Sequence, residues 1–226
     1  MTTVTASHRT APDHEHPVSI DDTFEFLNTI ELESGALVDH FATFDDATRW
    51  LSDRGISHST DEVDGTPDAR NPDESLARVR VVREALREVA HAVAEERPAD
   101  PTALEEVNRT LAGRERIELV PAPDGVSVGH VHVGHPLDDA LARLADPLVA
   151  EIQAGNAHRV RICDNHSCRW LFYDESRSGR RRWCDMATCG NRAKAARHRA
   201  RLKGLDPAAA GTDAAGPIDW TGPGVA

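Results

Sequence analysis

The residues with the clearest chemical potential are four cysteines, which all lie in one short segment of the chain. Their spacing is C-x4-C-x15-C-x4-C, and the residues are Cys163, Cys168, Cys184 and Cys189. Two close pairs separated by a loop long enough to form a hairpin can place four thiolates at the corners of a tetrahedron. Zinc(II) binds thiolates in this geometry at structural sites. The spacing therefore predicts a structural zinc site.

Two other uses of the cysteines are weaker. A disulfide framework is disfavoured because residues 1–17 contain no apolar stretch of the kind that secretory signals carry, and we expect a cytoplasmic protein without a membrane partner. A redox pair is disfavoured because thiol-exchange motifs usually separate their cysteines by two residues rather than four. His166 and His198 could each replace a thiolate, but four cysteines already suffice. The histidines are therefore interpreted as bystanders.

The segment around the cysteines is strongly basic, although the whole chain is acidic. Residues 159–203 contain 13 Lys and Arg and four acidic residues, which gives a formal charge of +9. The whole chain carries −12, so the rest of the chain carries −21. Four thiolates and one zinc ion together contribute −2, which leaves about +7 on this segment. A basic module on an acidic chain indicates an anionic partner, most commonly the phosphates of nucleic acid.

The basic residues form two runs, one between the second and third cysteines and one after the fourth. The second run lies on a predicted helix over residues 191–202, with Asn191 as its cap and Gly204 at its end. Alanines give this helix high propensity but little apolar surface, so we expect it to be exposed. Arg192 has two interpretations, as a partner of the cysteine sulfurs or as a phosphate contact. The candidate nucleic-acid contacts are Arg180, Arg181, Arg182, Arg192, Lys194, Arg197, Arg199, Arg201 and Lys203.

Residues 163–201, CDNHSCRWLFYDESRSGRRRWCDMATCGNRAKAARHRAR, resemble the CGNR zinc finger. The resemblance rests on the paired cysteine spacing, Trp183 directly before Cys184, the tetrapeptide that ends at Arg192, and the Arg-rich helix. It implies zinc as the cofactor and DNA binding in a bacterial transcription regulator. The chain departs from the family pattern at Asp185 and at Gly179, and neither departure removes a ligand.

The segment between the cysteine pairs is predicted to form a hairpin. Residues 169–173 and 180–184 are strand-like and flank the turn-rich sequence DESRSG, so that the hairpin would present Cys168 and Cys184 together. Gly190 is expected to allow the backbone N–H groups at the helix start to approach a thiolate sulfur. The predicted module is therefore a hairpin followed by a basic helix.

Three aromatic residues of this module have two interpretations. Trp170, Phe172 and Trp183 are interleaved with arginine, which is a pattern of single-strand nucleic-acid binding. A module this small has little core, however, and its aromatic residues usually pack around the metal site. The packing interpretation is favoured.

Residues 18–155, the body, are predicted to form one mainly helical domain with a small β-hairpin. A capping-box pattern at Ser19 and Asp22 predicts the first helix, over residues 21–30, and apolar residues at helical spacing predict a long one over 73–97. The other predicted helices cover residues 43–55, a stretch from 100 and residues 136–152, the last interrupted at Asp146 and Pro147. A polar loop is predicted over residues 57–72. Period-two patterns at 116–120 and 126–133 predict the hairpin. The fold class is therefore α+β, with the body joined without a flexible linker to a small four-cysteine zinc finger (residues 156–204), a hairpin plus a basic helix.

The body also resembles a known family. The stretches FEFLNTIELESG, DDATRWLSDRG, LARVRVVREALREVAHAVAEE and LEEVNRTLA are similar to the ABATE domain of stress-linked regulators, which commonly precedes a CGNR finger. The resemblance implies a module that senses a signal or joins subunits, and thus a small-molecule effector or a homodimer. The composition of residues 1–17 and 205–226 predicts disordered tails.

The chain contains no common catalytic motif: G-x-G-x-x-G, the P-loop, G-x-S-x-G and H-E-x-x-H are all missing from the sequence. His130, His132 and His135 alternate along a strand and its exit, which is more typical of polar-face residues than of metal ligands. We therefore expect no enzyme but a zinc-dependent DNA-binding transcription regulator. Two alternatives stay open: a zinc-stabilised module that binds an acidic protein surface, and a binder of single strands or RNA that stacks bases on tryptophan.

Overall fold

The computed structural model describes residues 17–33, 36–56, 71–114, 116–123, 125–131 and 135–204. The predicted fold class, α+β with a mainly helical body and a small finger, is confirmed. The elements in these ranges are α1 (Ile20–Leu27), β1 (Ile30–Glu33), β2 (Ala36–Asp39), α2 (Phe44–Asp53), α3 (Pro72–Ala94), α4 (Pro101–Leu111), β3 (Arg116–Ala122), β4 (Gly125–Val131), α5 (Pro136–Gln153), β5 (Val160–Ile162), β6 (Leu171–Tyr173) and α6 (Asn191–Leu202).

The predicted capping box of α1 is confirmed. The backbone N–H of Asp22 donates to Ser19 Oγ at 3.1 Å, and the N–H of Ser19 donates to Asp22 Oδ2 at 2.8 Å. The helix ends earlier than predicted, because Thr29 Oγ1 donates to the carbonyl of Phe26 at 2.7 Å and closes a turn. The chain then enters β1, which pairs antiparallel with β2 in a hairpin that the sequence analysis did not predict.

The core of the body lies between α1, α2, α3, α4 and α5. The helices α2, α3 and α4 begin at the side-chain caps of Thr43, Asn71 and Asp100, which satisfy backbone N–H groups of their first turns. The long amphipathic α3 buries Val82 and Leu86 completely. Burial of aliphatic side chains along helical faces thus stabilises the body.

The predicted interruption of α5 is wrong, because the helix runs continuously through Pro147. A proline inside a helix removes one backbone hydrogen bond and clashes with the preceding turn. Leu144 and Leu148 lie on either side of the proline, one turn apart, and both are buried in the core. The carbonyl of Leu144 also accepts a hydrogen bond from Thr23 Oγ1 at 2.9 Å. Tertiary packing therefore holds both halves of α5 in line.

The predicted β3–β4 hairpin is confirmed in register, with Val120 opposite Ser127. Leu119 and Val126 on this hairpin are exposed. The predictions for the loop at 57–70, for the tails at 1–16 and 205–226 and for residues 132–134 fall outside the described residues. None of the helices in the described ranges is both long and apolar enough to span a membrane.

The body continues directly into β5, and the β5–β6 sheet packs into its core. Val160 and Leu171 belong to the same buried cluster as the helices of the body. The side chain of Asn28 binds the backbone of Leu171 twice: its Nδ2 donates to the carbonyl at 2.8 Å, and its Oδ1 accepts from the N–H at 3.1 Å. The finger is therefore joined to the body by a shared core and not by a free linker.

Candidate metal centre and nucleic-acid interface

The first cysteine pair lies on the loop that connects β5 to β6. The two strands pair antiparallel, with Ile162 opposite Leu171, and the N–H of Cys163 donates to the carbonyl of Trp170 at 2.8 Å. The N–H of Cys168 donates to the carbonyl of Asn165 at 2.8 Å and closes a turn between the two cysteines. The strand pairing therefore brings both sulfurs of this pair to the same end of the sheet.

The predicted pairing of residues 169–173 with 180–184 is wrong, because β6 pairs with β5 and no strand is found at 180–184. The apolar residues of β5 gain burial against the body, which the RRRWC run cannot offer. Asp174, which is fully buried, shapes the following turn by accepting from the N–H groups of Ser176 and Arg181 at 2.9 and 2.7 Å. The N–H of Asp164 donates to the carbonyl of Arg182 at 2.9 Å and holds the third segment against the first.

Cys184 precedes and Cys189 belongs to a wide helical turn, Met186–Gly190, that leads directly into α6. Asp185 caps this turn by accepting from the N–H of Thr188 at 2.7 Å. The prediction that Asn191 caps the helix is therefore wrong: Asn191 has helical dihedral angles, and its Nδ2 donates to the carbonyl of Ala187 at 2.9 Å.

The predictions for the two glycines at the ends of α6 have different outcomes. The N–H of Gly190 donates to the carbonyl of Asp185 at 3.1 Å, and the expected approach of backbone N–H groups at the helix start to a sulfur stays a prediction. A side chain at Gly190 would collide with the thioether of Met186. Gly204 has a φ of 67°, in the left-handed region that glycine adopts without strain, and it ends the helix as predicted.

The geometry of the four sulfurs fits a tetrahedral zinc ion. All four Sγ atoms lie within 4.8 Å of one another, with 3.6 Å between Cys168 and Cys184 and 3.8 Å between Cys184 and Cys189. A Zn–S distance of about 2.3 Å places the sulfurs of a regular tetrahedron about 3.8 Å apart. All four cysteines are free thiols rather than disulfides. Neither His166 nor His198 belongs to the cluster in the described chain, as predicted.

The electrostatics of the cluster also favour a cation. Hydrogen bonds from the thiols of Cys168 and Cys184 lower the pKa of Cys163 well below that of a free cysteine. The same hydrogen bonds raise the pKa of Cys168 and Cys184, because each would lose its donated proton beside the Cys163 sulfur. One thiolate therefore forms easily, and four together require a positive charge between them. Zinc(II) supplies this charge and binds thiolate sulfur preferentially.

Asn165 contributes to the site although the sequence analysis did not single it out. Its Nδ2 donates to Cys189 Sγ at 3.3 Å, and its Oδ1 accepts from the N–H of Ser167 at 3.2 Å. An amide donor to a ligating sulfur stabilises the thiolate and fixes its orientation. The available signal was an asparagine two residues after a metal-binding cysteine, where side chains often close a turn.

The aromatic residues of the finger pack around the sulfurs. Phe172 is buried with Cys163 and Cys189, and Trp170 and Trp183 are half-buried against the same cluster. The favoured packing interpretation is therefore confirmed. Guanidinium carbons cover the Trp183 ring at 5.0 Å for Arg182 and 5.9 Å for Arg197.

Three of the nine predicted nucleic-acid contacts are engaged within the finger. Arg181 donates to the carbonyls of Trp183 and Cys184, and its guanidinium lies 5.1 Å from the Phe172 ring. Arg182 pairs with Asp164 at 2.5 Å. Together with Arg197 on Trp183, these arginines stabilise the local fold of the finger.

The other six predicted contacts present their charges to solvent. Within the ranges that the structure describes, their side chains form neither ion pairs nor hydrogen bonds, and all six are exposed. Arg192 donates to none of the four sulfurs within the described residues, and its role as a phosphate contact stays a prediction. The six are Arg180, Arg192, Lys194, Arg199, Arg201 and Lys203.

Of the three histidines considered as metal ligands in the body, the structure describes the side chain of His135. His135 caps α5, because its Nδ1 accepts from the N–H of Leu137 at 3.1 Å. The side chains of His130 and His132 lie outside the described residues. On the β1–β2 hairpin, His40 Nε2 lies 2.8 Å from a carboxylate oxygen of Glu31 and 3.6 Å from one of Glu33.

Comparison with known protein families agrees with this architecture. Residues 159–202 match the family described as the CGNR zinc finger, and residues 23–155 match the ABATE family, described as a putative stress-induced transcription regulator. A comparison with curated proteins finds no match. Both predicted resemblances are confirmed in their predicted order, and the finger match and the four-cysteine cluster together identify zinc as the cofactor.

Proposed function

The chain belongs to the ABATE family and carries a CGNR zinc finger, and we propose that it is a zinc-dependent regulator that binds duplex DNA through this finger. Zinc is held by Cys163, Cys168, Cys184 and Cys189. The six exposed cations contact phosphate, while Arg181, Arg182 and Arg197 shape the surface that presents them. The boundary between the two parts lies near residues 155 and 156.

The observation that carries this proposal is the separation of paired from unpaired positive charge in the finger. The arginine side chains that stabilise the fold contact backbone carbonyls, Asp164 or an aromatic ring. Of the six cations without partners in the described chain, four lie on α6, Lys203 follows its last residue, and Arg180 lies between β6 and Cys184. Unpaired cations close together repel one another, so this arrangement favours an anionic partner. Duplex DNA supplies regularly spaced phosphates and releases counterions on binding.

The zinc cluster makes this surface rigid. The helix α6 continues directly from the helical turn that contains Cys189, and Ala200 on it is buried. Arg197 also anchors the helix through the Trp183 ring. Without the metal, a helix this polar and short gains little from packing. Zinc binding therefore organises the cationic surface.

The body has two roles in this proposal. Its net negative charge repels phosphate, which leaves the finger as the part of the chain that DNA can approach. We assign to it the detection of a signal or the association of subunits, as its family suggests. Besides the shared core, a direct contact between the body and the finger is the pair of hydrogen bonds between Asn28, the residue after α1, and Leu171 on β6.

The proposal is tested by the salt dependence of duplex binding. The variant Arg192→Ala/Arg199→Ala/Lys203→Ala removes three exposed cations from α6, and we expect its log–log salt slope to be shallower by about 0.9 per cation. The matched control is Arg49→Ala, which removes an exposed arginine from α2 of the body. Equal affinities and slopes for the triple variant and the control would contradict the proposal.

A second candidate function uses the same exposed charges. The rest of the chain carries −21, so the finger could bind the acidic body of a second copy instead of DNA. Light scattering separates the two functions: a dimer that dissociates at high salt, with no affinity for duplex DNA at low salt, would support the interaction module.

A further inference from the structure

The helix α6 has three kinds of surface around its circumference, and each of them runs along the length of the helix. Ala193, Ala196 and Ala200 follow one another at spacings of three and four residues, which places them on one face. Ala200 is buried, and the other two are half-buried. Arg197 lies beside them on Trp183. This face attaches the helix to the finger.

The opposite face of α6 carries no charged residue at its centre. Asn191, Ala195, His198 and Leu202 follow at spacings of four, three and four residues, so they form one stripe along the whole helix. All four are exposed, and Leu202 has 76 % of its surface in solvent. An uncharged stripe at the centre of the exposed face is unexpected on a surface that only attracts phosphate.

Cations line both sides of this stripe. Arg192, Arg199 and Lys203 lie on one side, and Lys194 and Arg201 lie on the other. At about 100° per residue, each row is roughly a quarter turn from the centre of the stripe. Phosphates on two separate strands can therefore be contacted at the same time, with the uncharged residues between them.

We propose that α6 is a recognition helix that enters the major groove and reads base edges with Asn191, Ala195, His198 and Leu202. This inference rests on the proposed function, since it requires DNA binding by the finger. An α-helix with side chains is about 10–12 Å across, which fits the major groove of about 12 Å but not the minor groove of about 6 Å. The two cation rows then face the phosphates of the opposite groove walls.

The side chains of the stripe have chemistry suited to base edges. Ala195 and Leu202 are apolar and fit the methyl group of thymine, which is presented in the major groove. His198 can donate or accept a hydrogen bond through its ring nitrogens. The Oδ1 of Asn191 accepts no hydrogen bond from the described residues, and it fits the amino group of adenine or cytosine.

The packed tryptophans favour duplex over single-stranded DNA. Single-strand binding depends on aromatic faces that are open to bases. Trp170 and Trp183 are packed on the sulfur cluster, and arginines lie over the Trp183 ring. The helix with its stripe and flanking cations is therefore the surface of the finger that suits a duplex.

The test is a selection of duplexes from a random pool with the zinc-loaded full chain, followed by binding titrations on a selected and a scrambled duplex. The variants are His198→Ala and Leu202→Ala. The matched control is Leu119→Ala, because Leu119 on the body has the same exposed fraction as Leu202, 76 %. We expect each α6 variant to reduce the preference for the selected duplex about 10-fold, which is within the range for single base contacts.

The same titrations separate this inference from the proposed function. For the α6 variants, affinity for the scrambled duplex and the salt slope should stay unchanged, because no phosphate contact is removed. Binding without any sequence preference would overturn the recognition helix and leave the proposed function intact. A preference that survives both α6 variants would overturn it as well. Failure of the native chain to bind any duplex would overturn both. Zinc content and helicity of each variant exclude misfolding, since the replaced side chains are exposed.

Discussion

The body and the finger are stabilised by different means. The body buries many large aliphatic and aromatic side chains in one continuous core, among them Leu86, Leu141 and Leu144. The separate core of the finger has only Cys163, Phe172 and Cys189 as buried members in the described residues. Hydrophobic burial can fold a domain of the size of the body, whereas so small a core needs a metal. We therefore expect the fold of the finger to depend on zinc and the fold of the body to be independent of it.

The two regions also use arginine differently. Arg83 in the body is buried and donates to both carboxylate oxygens of Asp39 at 2.8 Å. Burial alone would raise the pKa of Asp39, but the Arg83 guanidinium beside it lowers this pKa below its ordinary value. Arg87 donates to the carbonyls of Leu27 and Ile30. Arginine content by itself therefore indicates nothing about DNA binding, and the position and pairing of each side chain distinguish structural from exposed arginines.

The largest expected effect comes from the zinc ligands. In Cys163→Ser the cluster loses a buried sulfur, and structural zinc contributes on the order of 10–16 kcal/mol to the folding of such modules. We expect the finger to unfold while α3 of the body keeps slowly exchanging amides. Hydrogen exchange resolved by segment measures both regions in one experiment. Loss of protection in α3 to the same extent as in α6 would contradict the comparison.

A cavity in the body should destabilise the body and leave the zinc site intact, which is the reverse of the result expected for Cys163→Ser. Leu141 is fully buried, and Leu141→Ala should reduce the free energy of unfolding by about 2–5 kcal/mol. Denaturant unfolding measures this loss, and metal analysis should still find one zinc per folded chain. Zinc loss from the variant under native conditions would show that the finger depends on the core of the body more than the structure indicates.

Features that depend on residues close together in the sequence could be predicted. The cysteine spacing, the Ser19 capping box and the periodicity of α3 are of this kind, and all three predictions are confirmed. Features that depend on contacts distant in the sequence could not be predicted. The core of the body selects β5 as the partner of β6 and keeps α5 straight through Pro147. The roles of Asn165 and Asp174 likewise depend on groups brought close only by folding.

The junction between the regions is tested at Asn28. The change Asn28→Ala leaves the N–H and the carbonyl of Leu171 without their partner on α1, at a cost of about 1–3 kcal/mol for each buried group. We expect both regions to be destabilised, because β6 contributes to both cores. Asn108→Ala on the exposed face of α4 is the matched control. Thermal unfolding with zinc release as a second signal measures the effect; a change confined to one region would argue against a shared junction.

The smallest expected effect is a pH dependence that belongs to the body. Burial, with a further contribution from Arg87, lowers the pKa of His91 to about 4. Arg169 also disfavours its charged form, while Glu88 and Glu95 favour it. Below the ordinary pKa of 6.5 the unfolded chain binds a proton that the folded chain does not, so stability falls as the pH decreases towards 4.

Between pH 7 and 5 this loss should reach about 2 kcal/mol, at about 1.36 kcal/mol for each pH unit below the ordinary pKa. The variant His91→Gln should lack this part of the dependence. Denaturant unfolding at several pH values, with zinc content checked at each, provides the comparison. The same pH slope in both proteins would show that His91 is not the group responsible.

The central claim is that zinc bound by four sulfurs makes the cationic helix a DNA-binding surface. The most direct measurement is fluorescence anisotropy of a labelled duplex with the zinc-loaded protein, with the protein after chelation, and with the protein after zinc is restored. We expect binding to disappear on chelation and to return with one zinc ion per chain. Equal affinity of the zinc-free protein for the duplex would contradict the account.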